Sequence, residues 1–291
     1  MWGKRIPMEG TMAEMIVVGV TGAPVSPRAV DWAVARAAEN RQRVELVAVV
    51  GGAMGTVGEA DVVIDARAAA QKMLDLEADR VRGRGVEITT RVDNGNPVAK
   101  LIDASASADL LVIGSDYTGP GSGPARGMHG IRIAAGAACP VVVVPDIDLG
   151  ARSGIVVGVD GSEVSERAIR FAAAEADRLG EPLTACAVWT PLQAPRNGLA
   201  VYPELYLTNM QAATEEILAL SIAGIAEDYP DVQVVRRVER GYPSHVLNEL
   251  AASARLTVVG THGRGAIARF LLGSISQEVL ARLATVTAVV R

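Results

Sequence analysis

The clearest chemical pattern of the sequence lies near its carboxyl terminus, where glycines recur at fixed spacing. The pattern Gly-x2-Gly-x9-Gly-Ser begins at Gly260 and Gly263 and ends at Gly273 and Ser274. Glycine adopts a positive φ at low cost, as we expect for Gly263 and Gly265. Backbone N–H groups in such turns can face an anion, so the pattern predicts a loop that binds a negatively charged ligand.

A helix is predicted to begin where this pattern ends. Ser274 and Gln277 have the spacing of a capping box, and Ser276 places a second hydroxyl in the first turn. The N-terminus of a helix carries partial positive charge and unpaired N–H groups, which favour phosphate. The apolar residues expected to face the core are Val279, Leu280 and Leu283. A glycine-rich turn with an ordinary helix cap is the alternative interpretation.

A carboxylate occurs at a second position suited to ligand binding. Asp160 follows the aliphatic run 155–159, which is typical of a buried strand. A carboxylate at the end of a strand can accept hydrogen bonds from ribose hydroxyls or hold a divalent cation together with phosphates. A helix-capping role is the alternative, but a carboxylate and a phosphate-type loop in one chain favour a ligand site.

An internal duplication explains how the chain positions these residues. Residues 16–20 match residues 155–159 at an offset of 139, whereas residues 110–114 match 256–260 at an offset of 146. The difference falls in a longer loop, predicted over 190–208 with three prolines. The sequence therefore predicts an N-terminal extension (1–12), a first domain (13–149) and a second domain (150–291).

Each half alternates aliphatic runs with helical patterns, which predicts parallel strands joined by helices. The expected fold class is α/β, with two tandem Rossmann-like domains, each a five-stranded parallel sheet with helices on both faces. In such sheets ligands bind beyond the carboxyl ends of the strands, where the strand order reverses. Asp160 and Gly260 are both expected at that edge. Ser162 is the predicted N-cap of the helix after Asp160.

Composition excludes several classes of protein. The 291 residues are 49% hydrophobic and 21% charged, as in globular proteins. Aromatic residues make up only 3% and the net charge is −5, which argues against a nucleic-acid or membrane-surface partner. The N-terminus lacks the apolar segment of a signal peptide, so we expect a cytoplasmic protein. Cys139 and Cys186 are predicted to be buried, reduced thiols.

These motifs resemble those of the universal stress protein family in its tandem two-domain form, over residues 13–291. In the ATP-binding branch of that family, the glycine loop and the following serine hold the phosphates. The resemblance implies that Gly260, Gly263, Gly273, Ser274 and Ser276 contact phosphate. It also implies that Asp160 contacts the nucleoside, often with Mg²⁺, and that the backbone at Ala187 and Val188 lies at the adenine. Trp189 follows at the pocket rim, where a role as loop anchor is favoured over stacking.

The first half departs from the same pattern. Thr21 stands where the second half has Asp160, and Tyr117 replaces Gly263. The equivalents of Ser274 and Ser276 are Met128 and Gly130. We therefore expect this half to bind ATP weakly or not at all and to serve as a structural partner. An alternative is that this half binds a different anion, through Arg126, His129 and Arg132.

The resemblance implies that the halves pair through their fifth strands, predicted at 141–144 and 287–290, and that the protein acts in stress, growth arrest or dormancy. The first functional hypothesis is an ATP-binding regulatory protein with an unidentified protein partner. A weak ATPase or autokinase is a second, although the sequence has no Walker lysine and no evident base. A scaffold that binds no nucleotide is a third, and a homodimer remains open.

Overall fold

The structure is a computed structural model that describes residues 14–51, 59–115, 128–191, 204–263 and 272–291. The predicted extension 1–12 therefore lies outside the described residues. In the first half the elements are β1 (Met15–Gly19), α1 (Ser26–Asn40), β2 (Arg43–Val50), α2 (Glu59–Arg80), β3 (Ile88–Asn94), α3 (Pro97–Ser105), β4 (Leu110–Ser115), α4 (Met128–Gly136) and β5 (Val141–Pro145).

The second half repeats this order. Its elements are β6 (Ile155–Val159), α5 (Glu163–Leu179), β7 (Leu183–Trp189), α6 (Glu204–Ser221), α7 (Ile225–Asp228), β8 (Val234–Arg240), α8 (Pro243–Ala251), β9 (Leu256–Gly260), α9 (Ser274–Arg282) and β10 (Val286–Val290). The loop predicted over 190–208 ends earlier than expected, because α6 begins at Glu204. Residues 192–203 lie outside the described part of the chain.

The ten strands form one sheet in the order β3-β2-β1-β4-β5-β10-β9-β6-β7-β8. Within each half the paired strands are parallel, and the halves meet where β5 pairs antiparallel with β10. Thr287 lies opposite Val143, and Val289 lies opposite Val141. This confirms the predicted α/β class and the pairing of the fifth strands. We call this β5–β10 contact the seam.

The sheet separates two apolar clusters, because successive side chains of a strand point to opposite faces. In β1, Ile16 and Val18 belong to one cluster, whereas Val17 belongs to the other. The first cluster lies under α1, α2, α5 and α6, and the second lies under α3, α4, α8 and α9. Each cluster extends through both halves. In the described part of the chain, no helix combines the length and the hydrophobicity needed to cross a membrane.

The ends of α1 and α5 give a first testable prediction. Arg41 closes α1 with φ 56°, and its counterpart Gly180 closes α5 with φ 62°. A side chain in this left-handed conformation costs about 1 kcal/mol, which glycine avoids. Arg41→Gly is therefore expected to raise the free energy of unfolding by about 0.5–1 kcal/mol, measured by urea denaturation.

The matched control is Gly180→Ala. A Cβ at this position would have no heavy atom within 4 Å, so the backbone conformation alone sets its cost. This variant should lose about 1 kcal/mol. A destabilised Arg41→Gly chain, or an unchanged Gly180→Ala chain, would contradict the explanation.

Candidate functional site

The residues predicted to bind a ligand in the second half converge on one cavity. It has a volume of about 510 Å³ and lies beyond the carboxyl ends of β6, β7 and β9. The chain leaves β6 toward β7 on one side, whereas β9 lies on the other side, so the strand order reverses here. The predicted residues that line the cavity are Asp160, Val188, Gly260, Gly263, Gly273, Ser274 and Ser276. Gly265 lies outside the described residues.

Asp160 is held at the mouth of this cavity by the start of α5. Its backbone N–H donates to Ser165 Oγ at 3.2 Å, and its Oδ1 accepts from the N–H of Ser162 at 3.0 Å. The N-cap of α5 is Ser162, as predicted, because its hydroxyl accepts from the N–H of Ser165 at 3.1 Å. Asp160 is therefore oriented by the local turn and is not itself the helix cap.

Gly263 passes directly beside this carboxylate. A Cβ at position 263 would lie 2.3 Å from Asp160 Oδ2, so a side chain would require the loop or the carboxylate to move. The glycine is needed for this close approach. It does not adopt a positive φ, contrary to the expectation from sequence, whereas Gly161 does, with φ 74°. The contact brings the loop after β9 onto the residue that follows β6.

The remaining glycines fix the path of the loop. A Cβ on Gly260 would lie 2.8 Å from Val164 Cγ1, so the end of β9 packs closely against α5. The N–H of Gly273 donates to the carbonyl oxygen of Thr261 at 2.7 Å. The two ends of the segment after β9 are thereby joined. The start of α9 is positioned next to Gly260 and Asp160.

The start of α9 differs from the predicted capping box. Gly273 is the N-cap, in an extended conformation and without a side-chain cap hydrogen bond. Ser274 is thus the first residue of the helix, and its side chain is exposed. The Ser276 hydroxyl is buried and donates to the carbonyl oxygen of Gly260 at 2.5 Å. Ser274 and the first N–H groups of α9 are the groups that face the ligand space.

Strand β7 contributes an apolar wall beside the backbone segment that was predicted to lie at the adenine. Val188 and Cys186 line the cavity. Ala187 lies in the apolar cluster on the other face of the sheet. Trp189 is buried and its Nε1 donates to Gln211 Oε1 at 2.8 Å, so it anchors the middle of α6. Only the backbone of Ala187 is placed to contact a bound group.

Sequence reasoning missed the wall on the α8 side. Pro243 and Leu247 line the cavity together with Cys186. A signal was present in the duplication, because Pro97 and Leu101 occupy the same positions of the first half. Apolar positions retained in both halves, in the first turns of α3 and α8, would have indicated shared pocket walls.

The two thiols give a second prediction. Cys139 and Cys186 are free and buried, as predicted, and burial raises the pKa of each thiol from 9.0 to about 12. Because the thiolate is the reactive form, we expect iodoacetamide to modify both at pH 8 at least about 100-fold slower in the native protein than in denaturant. Rapid modification of the native protein would contradict this burial.

The same shift has a pH-dependent effect on stability. An unfolded chain releases these protons near pH 9.0, whereas the folded chain holds them to about pH 12. The contribution of the thiols to the free energy of unfolding therefore falls as the pH rises from 9 toward 12.

The first half contains the corresponding cavity with different chemistry. Its volume is about 390 Å³, and Thr21 replaces the carboxylate. The Thr21 hydroxyl lies 3.2 Å from Ser26 Oγ, and His129 and Gly130 lie at the start of α4. The predicted residues that lie outside the described ranges are Tyr117 and Arg126.

Few titratable groups of the described residues belong to the second-half site. His262 lines the cavity, with its Nδ1 3.0 Å from Thr261 Oγ1. Arg264 and Arg269 lie outside the described residues. Within the described ranges, no three His, Cys, Asp or Glu side chains are grouped so that they could hold a metal ion. The site is therefore defined by one carboxylate, a close glycine loop and a helix N-terminus.

Comparisons with known proteins agree with this arrangement. The model of the universal stress protein family matches residues 12–145 and again 152–291. A universal stress protein of Mycolicibacterium smegmatis is 35% identical over 290 residues, covering 95% of this chain and 96% of the relative. One from Mycobacterium tuberculosis is 34% identical over 292 residues, covering 91% of each.

A solved structure shares the whole fold. The crystal structure of a universal stress protein from Archaeoglobus fulgidus matches with a TM-score of 0.70 and 16% identity, covering 95% of this chain and 96% of that one. The similarity thus includes both halves and the way in which they are joined. The chain belongs to the universal stress protein family, in its tandem form.

Proposed function

We propose that this protein binds ATP in the second-half cavity and that the bound nucleotide regulates its conformation or its contact with a protein partner during stress. The observation that carries the proposal is the approach of Gly263 to Asp160, with room for no side chain between them. The approach supports a site in which one ligand contacts the carboxylate and the loop together. The cavity of about 510 Å³ is within the range of small-molecule sites.

Each wall of the cavity suits one part of the nucleotide. The N-terminus of α9, at Gly273 and Ser274, offers N–H groups and a hydroxyl to the phosphates. Asp160 accepts hydrogen bonds from the ribose hydroxyls. Cys186 and Val188 form an apolar surface for the adenine, which can also bond to the backbone of β7. Ser276 holds the end of β9 through Gly260 and so supports the loop rather than the phosphates.

Mg²⁺ fits this site as a partner of the phosphates. Mg²⁺ sites are commonly built from one or two carboxylates, phosphate oxygens and water. Asp160 supplies one carboxylate, and the described residues contain no group of three His, Cys, Asp or Glu side chains around it. Mg²⁺ held through Asp160 would lower the charge repulsion between the phosphates and this carboxylate.

A binding role is favoured over rapid phosphoryl transfer. Ser274 is exposed at the start of α9, and the nearest carboxylate along the helix is Glu278, one turn later. Glu278 already accepts hydrogen bonds from Ser244 Oγ at 2.6 Å and from the Tyr242 hydroxyl at 3.1 Å. Its carboxylate thus links α9 to the start of α8 and is not placed to accept a proton from Ser274. A phosphate-release assay distinguishes a weak ATPase or autokinase from a protein that only binds ATP, with Ser274→Ala as the control.

The test of the proposal is to denature freshly purified protein and to quantify released nucleotide by chromatography. About one ATP per chain is expected, and none from Asp160→Ala. A ratio near two would mean that the first half also binds ATP. Absence of nucleotide, with no thermal stabilisation by Mg-ATP at 100-fold excess over a micromolar Kd, would overturn the proposal, since such a ligand adds about 2.7 kcal/mol.

A further inference from the structure

Four charged side chains meet where α1 faces α5 beside the seam. Arg36 Nε donates to Glu175 Oε1 at 2.7 Å, and Arg178 donates to both Glu39 and Glu175. The side chains of Glu175, Arg178 and Arg36 are only 2%, 11% and 14% exposed. We call these four residues the seam tetrad. The fourth side chain, Glu39, is 50% exposed. Loss of one partner from an ion pair as buried as Arg36–Glu175 strongly destabilises the protein, unlike the loss of an ordinary surface pair.

The ion pairs across the seam join equivalent positions of the duplication. At the offset of 139 that relates α1 to α5, Arg36 corresponds to Glu175 and Glu39 corresponds to Arg178. Each side chain thus contacts its own counterpart, as residues near a twofold axis do. At both positions the sign of the charge is reversed between the halves. Two identical copies of either half, paired in the same way, would place like charges opposite each other.

The apolar contacts at the seam do not distinguish the halves. Strands β5 and β10 are both short, apolar and fully buried. Ala37 and Ala176 are likewise equivalent and buried. Apolar surfaces of this kind would pair with a copy of themselves as well as with each other. Charge is therefore the feature that can favour pairing of the two different halves over pairing of one half with its own copy. Like charges placed opposite each other oppose association.

We propose that the seam tetrad makes the two halves of this chain each other's partners and opposes pairing of either half with a copy of itself. The half that carries Asp160 is thereby always joined to the half that carries Thr21. The chain is then an asymmetric pair with different sites rather than a covalent version of a symmetric dimer. This inference does not depend on whether the second-half cavity binds ATP.

Two further contacts hold the tetrad in place. Arg36 Nη1 also donates to Gln42 Oε1 at 2.7 Å, and its guanidinium lies 5.8 Å from the ring of Phe171. Burial disfavours the charged form of Arg178, but Glu175 and Glu39 outweigh it and raise the pKa of that guanidinium. The Arg178 guanidinium is thus held in its charged form.

The test compares two full-chain variants with the same net charge as the natural sequence. Arg36→Glu with Glu39→Arg gives the first half the sign pattern of the second, so that like charges face each other. Its Tm is expected to fall by about 10 °C. Adding Glu175→Arg and Arg178→Glu restores opposite charges with all signs inverted, and should recover more than half of that loss.

The control exchanges an exposed pair on α5, Glu163→Arg with Arg167→Glu, which should change the Tm by no more than about 2 °C. A double variant within 2 °C of the natural protein would overturn the proposal. So would a fourfold variant no more stable than the double variant. If the double variant is insoluble, the fourfold variant decides: a folded monomeric chain supports the charge pattern, and an insoluble one rejects it.

Discussion

Gly263→Ala is expected to weaken ATP binding at least 100-fold in a chain that still folds. The added Cβ would lie 2.3 Å from Asp160 Oδ2, so either the loop or the carboxylate must move. Asp160 is held by the N–H of Ser162, and turning it away would break that bond. The displaced carboxylate would also lose its proposed hydrogen bonds to the ribose. Loss of a hydrogen bond to a charged group costs about 1.5–3 kcal/mol, and about 2.7 kcal/mol of binding free energy corresponds to 100-fold. Isothermal titration calorimetry with Mg-ATP measures the change.

The control is Gly224→Ala, at the start of the short helix α7. Position 224 has a negative φ, and a Cβ there would have no heavy atom within 4 Å. ATP affinity should be unchanged in this variant. ATP binding by Gly263→Ala within threefold of the natural protein would contradict the assigned role of the loop.

A double variant identifies the group through which Gly263→Ala acts. Asp160→Ala alone should also reduce the affinity strongly. If the new methyl group acts by displacing the carboxylate, Gly263→Ala combined with Asp160→Ala should bind no more weakly than the weaker single variant. Fully multiplicative losses would mean that the loop and the carboxylate act independently.

Much of the fold could be predicted because the sequence repeats its own pattern. Aliphatic runs such as 16–20 and 155–159 are continuous, as expected for strands covered on both faces. The start of α6 at Glu204 was harder to predict, because the prolines between 191 and 203 suggested a longer loop. Local signals place strands well when burial is uniform, whereas helix ends depend on what the helix packs against.

The site shows where sequence reasoning was incomplete. Cys186 was missed as a wall residue, although the alternation of side chains along a strand places it on the same face as Val188. The close approach of Gly263 to Asp160 could not be predicted, since it depends on how two distant loops meet. The seam tetrad is similar in this respect: Arg36 and Glu175 are distant in sequence, and their contact depends on the docking of two halves.

The largest expected effect on stability is at the end of α9. Leu283 has no exposed surface, and its backbone closes the helix with φ 35°. A leucine in this region costs about 1–2 kcal/mol in backbone energy, which the buried side chain offsets. Leu283→Ala removes most of that burial and retains most of the backbone cost. We expect a loss of about 3 kcal/mol in the free energy of unfolding, measured by guanidinium denaturation.

Comparison with glycine separates burial from backbone strain. At an ordinary buried site, glycine is less stable than alanine because it buries less surface and loses more chain entropy. At position 283 glycine also removes the strain, so Leu283→Gly should be about 1 kcal/mol more stable than Leu283→Ala. Leu220→Ala, at a side chain 71% exposed on α6, should change stability by less than about 0.5 kcal/mol. The reverse order of glycine and alanine would show that burial alone holds the helix that carries the proposed phosphate site.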